Sequence, residues 1–245
     1  MQTPLTMQYL SRRSWCAAGL AAALTPALAA TKVPIALDGN AAQKQALQLL
    51  APDLGFEADL QVVPWARLLS LIERGEAIGM GVGHSHSREK RFVFSAPIYV
   101  KRIWMLLKQA DPLAYRGFAD LQGRRLCLRR NVSYGDDFEA AAGRDYQLVP
   151  VDVPLETRLR MILADRCDLT VVSSGEIQPG RPAKLLAKWP ELAAELKVLP
   201  TPMTTQTAHF VALKGSPLAR HMPAINRAIN RHKDVLRELF ERGGD

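Results

Sequence analysis

The 245 residues are 48% hydrophobic and 23% charged, with 32 basic against 24 acidic side chains and a net charge of +8. This is ordinary globular composition, long enough for one large domain or two small ones, and it excludes a disordered, collagenous or disulfide-dense chain. The charges are dispersed, without a basic run or interleaved aromatics, so the basicity favours an anionic ligand or a solvated surface and not nucleic acid.

At the start of the chain, Arg12 and Arg13 precede an apolar run over 15–24, followed by Thr25-Pro26 and Ala27-Leu28-Ala29. A basic region, a short apolar core and a small-x-small site read as a secretory signal peptide over residues 1–29. The core is too short to cross a bilayer, which takes about 20 apolar residues. Ser11-Arg12-Arg13-Ser14-Trp15 also resembles a twin-arginine export signal. The expected location is the periplasm. Cleavage would remove Cys16 and leave Cys127 and Cys167. An oxidising compartment permits these two to pair, but a sequence cannot supply the Cα separation that decides it.

Residues 32–37 read as a strand, and Asp38-Gly39-Asn40 as a turn. A helix over 41–50 has Leu47 and Leu50 on one face. A strand over 60–63 leads to Pro64 at a helix start, with Trp65, Leu68, Leu69 and Ile72 at helical spacing and Gly75 at the end. The apolar run 77–82 reads as a buried strand, and 98–107 as a longer one. A second set follows: a turn at 120–123, a strand over 124–128, a helix over 133–142 capped by Ser133, and a strand over 146–151. A helix over 155–164 and a strand over 169–172 complete it. The tail gives a strand over 207–213 and two amphipathic helices, with Leu218, Met222, Ile225 and Ile229 on one stripe and Leu236, Leu239 and Phe240 on another. Alternating strands and helices predict parallel α/β sheets.

Pro64-Trp65-Ala66-Arg67-Leu68-Leu69, the segment from Ser87 to Tyr99, Asp120-Leu121-Gln122-Gly123, Asn131-Val132-Ser133-Tyr134-Gly135, Asp168-Leu169-Thr170-Val171-Val172 and Phe210-Val211-Ala212-Leu213 occur in that order. Together they resemble the extracellular solute-binding proteins of family 3, the amino-acid-binding type of ABC-transporter receptor. The resemblance covers essentially the whole chain after the leader. It implies an α/β fold of the two-lobed periplasmic-binding-protein type II, each lobe a mostly parallel sheet flanked by helices. Lobe one would be 30–109 plus 204–245 and lobe two 110–203, joined by two crossing strands. Ligand would sit beyond the carboxyl ends of the strands and closure would be a hinge motion.

By that resemblance Arg88 is the arginine that clamps a ligand carboxylate, a planar fork matched to that group. Gly83, His84 and Ser85 follow the buried strand and face the same cleft. Asn131, Ser133 and Tyr134 would present backbone N–H groups at a helix start from the other lobe. Asp38 ends the first strand and points toward the cleft, while Trp65 is either a ligand wall or core. The position of the family's ammonium-binding aspartate is Ser173, with Glu176 near but unaligned, so a carboxylate without an adjacent amine becomes the alternative ligand. The short turn after Leu37 also departs from the family's longer hairpin. His84 and His86, two apart, read as a polar loop and not as metal ligands.

The reading is a monomeric binding protein without cofactor, metal or catalytic residue. It captures a small anionic or zwitterionic solute for an ABC permease or a membrane sensor. Two alternatives stay open: a cyclohexadienyl-dehydratase-like lyase using Glu176 as its acid, and a partner-binding envelope protein with a degenerate cleft.

Overall fold

A computed structural model describes residues 31–39, 41–173 and 185–242. The expected leader, Asn40 and Glu176 lie outside them.

Strand β1 (Lys32–Leu37) runs parallel to β2 (Glu57–Val62) on one side and β3 (Ile78–Gly83) on the other. Helices α1 (Ala41–Leu50) and α2 (Trp65–Glu73) make the crossovers. In α1 the buried positions are Gln43, Ala46, Leu47 and Leu50, a helical stripe that contains one polar member. The sequence reading runs parallel strand into parallel strand here. It does not foresee the short helix α3 (His86–Glu89) or the three-residue strand β4 (Phe92–Phe94), both too short to show periodicity.

Strand β5 (Tyr99–Lys108) then leaves the first set for the second. There β6 (Arg125–Arg129) lies parallel to β7 (Gln147–Val151) and β8 (Leu169–Ser173). Helices α4 (Asp136–Ala141) and α5 (Leu155–Leu163) cross over, and α6 (Pro190–Ala193) and β9 (Leu196–Val198) follow. Strand β10 (Thr204–Leu213) returns, and α7 (Met222–Arg231) and α8 (Lys233–Arg242) finish the described chain. The hydrogen-bonded order is β2-β1-β3-β10-β5-β8-β6-β7. Each half thus has three parallel strands closed by one antiparallel strand, β10 against β3 and β5 against β8.

The apolar clusters divide the same way. Ile35, Leu37, Leu47, Tyr99, Phe210 and Ile225 pack together in one half, and Ile103, Met105, Leu126, Phe138 and Leu169 in the other. The chain changes core between Tyr99 and Ile103 in β5, and between Met203 and Ala208 in β10.

One helix start differs from its expected place. The reading over 133–142 with Ser133 as cap is corrected: α4 begins at Asp136, and Gly135 at φ 106° is its cap residue. Asn131 also takes a left-handed conformation, φ 58°. The stretch between them therefore cannot be helical, and the Ser133 hydroxyl donates to Glu139 Oε1 at 2.5 Å instead.

Cys127, in the middle of β6, and Cys167, just before β8, form a disulfide with their Cα atoms 5.7 Å apart. The bridge sits under Trp104, Leu159 and Ile162. With a sequence separation of 40, closing this loop in the unfolded chain is worth about 4 kcal/mol in the loop-entropy picture. The Cys127→Ser/Cys167→Ser protein should therefore lose about 2–5 kcal/mol in urea unfolding, and an unchanged midpoint would show that the bridge does not restrain the chain.

Candidate functional site

Residues at or just after the carboxyl ends of β1, β6 and β8 (Asp38, Arg129 and Ser173) and Gly81 of β3 line one cavity between the halves, the cleft. Its floor comes from β5 and β10. Along β5 the side chains alternate. Tyr99 turns one way and accepts a hydrogen bond on its hydroxyl from Gln43 Nε2 at 2.9 Å. Lys101 turns the same way and donates to the Gly81 carbonyl at 2.5 Å.

Two glycines of β3 make these approaches feasible. Gly81 sits at φ 82°, and a β-carbon there would lie 2.1 Å from Gln43 Nε2. One on Gly83 would lie 2.3 Å from Gln206 Oε1. Gln206 is buried and donates from Nε2 to the His84 carbonyl at 2.7 Å and to Ser133 Oγ at 3.3 Å. Its Oε1 has no hydrogen-bond partner. Burial pushes the Tyr99 phenol above its ordinary value, so it stays protonated and neutral.

A small cavity of ≈ 40 Å³ lies above this floor, room for about three water-sized groups. Asp38, Gln43, Trp65 and Gly81 line it from the first half, Tyr99 and Lys101 from β5, and Arg129, Val132 and Ser173 from the second. Of the residues marked in the sequence, Asp38, Trp65 and Ser173 are thus brought together. Gln43, Tyr99, Lys101 and Arg129 were not marked. Their signals were a glutamine at a core position of α1, a lysine two after a tyrosine on a buried strand, and an arginine at a strand's carboxyl end.

The two halves also bond to one another directly. Arg88 donates from Nη1 to the Gly83 carbonyl at 2.9 Å and from Nη2 to the Asn131 carbonyl across the cleft at 3.1 Å. Trp65 Nε1 donates to the same Asn131 oxygen at 3.1 Å. The Arg88 and Arg129 guanidinium carbons each stand 5.9 Å from the Trp65 ring, within cation–π range. Arg129 faces Asp38 at 3.5 Å across the cleft. His86 reaches Asp136 of α4 with its backbone N–H at 2.9 Å and its ring Nδ1 at 2.6 Å. Burial lowers the Arg88 pKa, opposed by the charges of Glu139 and Glu73.

Other marked residues have structural partners. The Ser85 hydroxyl, fully buried, caps α3 by accepting from the Arg88 N–H at 3.4 Å. His84 pairs with Glu89 at 2.7 Å and lies edge-on to Phe94. Tyr134 is 3% exposed and its ring packs against Phe138 in the core of the second half.

No family model matches the chain, and no curated protein matches it. Solved structures do. An amino acid ABC transporter substrate-binding protein, AbpA from Streptococcus pneumoniae bound to L-arginine, is 16% identical over 83% of this chain and 90% of its own, with a TM-score of 0.63. A histidine kinase sensor domain with similarity to periplasmic binding proteins is 18% identical over 84% and 92%, with a TM-score of 0.66. The BvgS VFT2 domain of Bordetella pertussis is 22% identical over 86% and 92%, with a TM-score of 0.64. At these identities the likeness is one of fold, the two-lobed α/β fold expected from the sequence.

The ring centroid of His209 stands 5.8 Å from that of His84. Its Nδ1–H donates to the Ser95 carbonyl and its Nε2 accepts from the Thr207 hydroxyl, both at 2.7 Å, the pattern of a neutral ring. Burial lowers its pKa below 6.5, with the charges of His84 and Lys101 adding and the Ser95 carbonyl opposing. The sign follows: well above pH 6.5 neither state is protonated, and below it the unfolded chain takes the proton first, so stability falls on acidification. The melting temperature should drop between about pH 7.5 and 5.5, and His209→Gln should shrink that drop. An equal drop in both proteins would remove His209 as the cause.

Proposed function

We propose that the protein captures a small carboxylate-bearing solute between its lobes by hinge closure, in the periplasm, for an importer or a membrane sensor. The observation that carries this reading is the Arg88 fork. One nitrogen is anchored on the Gly83 carbonyl of its own lobe, and the other reaches an oxygen, that of Asn131, on the opposite lobe. A ligand carboxylate offers that nitrogen the same kind of acceptor. The surroundings are basic: Arg88, Lys101 and Arg129 against Asp38, and Asp38 already faces Arg129. By the family resemblance the position that would hold an acid for an ammonium group is Ser173, which lines the cavity. The reading therefore favours a carboxylate without an adjacent amine over an α-amino acid.

Lobe one comprises 30–109 plus 204–245 and lobe two 110–203 in this proposal. The hinge lies where the core changes, at 100–102 in β5 and 204–207 in β10. Binding of amino acids by the structural neighbours that carry them, such as AbpA with L-arginine, supports a solute-binding cleft here.

A second reading is favoured by the latch itself. Trp65, Arg88, His86 and Asp38 all bond across the cleft to groups of this chain. A protein whose closed form is held by its own residues can present that form to a partner and respond to a ligand by leaving it.

Thermal denaturation of residues 30–245 with amino acids, keto acids, dicarboxylates and aromatic acids tests the first reading. A ligand at 100 times its Kd should add about 2.7 kcal/mol of stability. The shift should appear for a carboxylate, not for the matching primary amine, and vanish in Arg88→Ala. A shift that survives Arg88→Ala would overturn the clamp, and no shift from any acid would overturn the solute-capture reading. The latch is tested separately by small-angle scattering of the Arg88→Ala/Trp65→Phe protein. An increased radius of gyration supports self-closure, and an unchanged one removes it.

A further inference from the structure

Two voids meet where the halves face each other. The inner one is the cleft cavity of ≈ 40 Å³, which reaches down to the buried Gln43 and Tyr99. The outer one measures ≈ 460 Å³, within the range of small-molecule sites, about 300 to 1,000 Å³. Pro64, Trp65 and Ala66 at the start of α2 line it from the first half, and Val153, Pro154 and Leu155 leading into α5 line it from the second. These walls are apolar. The exposed pair Arg130–Asp152, 2.9 Å apart, brings the outer void to the surface.

Trp65 and Arg129 belong to both linings. They therefore stand between the two voids, and each is held in place. The Trp65 ring N–H donates to the Asn131 carbonyl at 3.1 Å. Arg129 faces Asp38 at 3.5 Å, and its guanidinium carbon lies 5.9 Å from the Trp65 ring. The Asp38–Arg129 pair is partly exposed and so weak, which leaves the partition movable by side-chain rotation. We propose that Trp65 and Arg129 set the length of the solute that the cleft takes. With both in place, the solute is confined to the inner cavity, whose volume suits an acid the size of formate or acetate. Without the arginine the voids join, and a longer chain gains the apolar walls of the outer one. Selection here is by room, since the two charged groups at the partition already face each other. This rests on the solute-capture reading above and names a size class for the same site.

The probes are formate, acetate, butanoate and hexanoate, followed by melting temperature and by calorimetry on the intact chain. The wild-type protein should prefer acetate and bind hexanoate about tenfold or more weakly. Asp38→Asn/Arg129→Ala removes the ion pair as a unit, so neither charge is left facing the cavity alone. It should reverse the order, hexanoate gaining about fourfold for each methylene that enters the outer void. Ala66→Trp, at an exposed position of α2, should fill the outer void. It should leave acetate binding unchanged by itself and cancel the gain of the double variant. Length selection falls, with solute capture intact, if the wild type takes hexanoate as tightly as acetate, if the double variant keeps the wild-type order, or if Ala66→Trp leaves its gain in place. It also falls alone if none of the four acids binds while a larger acid does. No binding of any acid by any variant overturns solute capture itself, and length selection with it.

Discussion

The two halves of this molecule are joined through one antiparallel pairing, Thr204 to Ala208 of β10 against Ile103 to Tyr99 of β5. It is the junction of the central sheet at which the two apolar cores meet. On one side of it β10 continues against β3, and on the other β5 continues against β8. Two strands, rather than a loop, therefore carry the chain between lobes.

That constraint also fixes the chemistry. Side chains on a strand alternate faces, so the residues that turn into the cleft from β5 are set by register: Tyr99 and Lys101. A lysine there would be costly unless met, and the Gly81 carbonyl meets it. The glycine content of β3 is the complement of this arrangement. Gly81 and Gly83 leave room for Gln43 and Gln206 to pack directly against backbone, placing polar atoms where side-chain bulk would otherwise stand.

Much of the architecture was legible in the chain. The strand at Lys32–Leu37 and the helix at Ala41–Leu50 have the expected limits, because their periodicity is strong and their ends carry turn residues. The strand β4 and helix α3 were not legible, being shorter than a period can reveal. The helix at Ser133 was misplaced, since its start depends on the left-handed turn at Asn131, which no side-chain pattern announces. Some of the residues read as a candidate site come together in the structure. Asp38, Trp65 and Ser173 meet around one cavity, and Arg88 reaches across the cleft. Arg129 and Gln206 were invisible because their importance arises only when a second lobe stands opposite, a relation between residues far apart in sequence.

The balance between latch and ligand can be placed in magnitude. A neutral hydrogen bond contributes about 0.5–1.5 kcal/mol net, and a partly exposed ion pair such as Asp38–Arg129 about 0–1 kcal/mol. The bonds from Trp65 and Arg88 to the Asn131 oxygen are thus worth about as much as a ligand present at 100 times its Kd, about 2.7 kcal/mol. Neither term dominates. A solute that merely replaced the Asn131 oxygen on Arg88 would give little net closure, because a ligand shifts an equilibrium only by its differential affinity for the two states. To act, it must also satisfy groups that the latch leaves unmet.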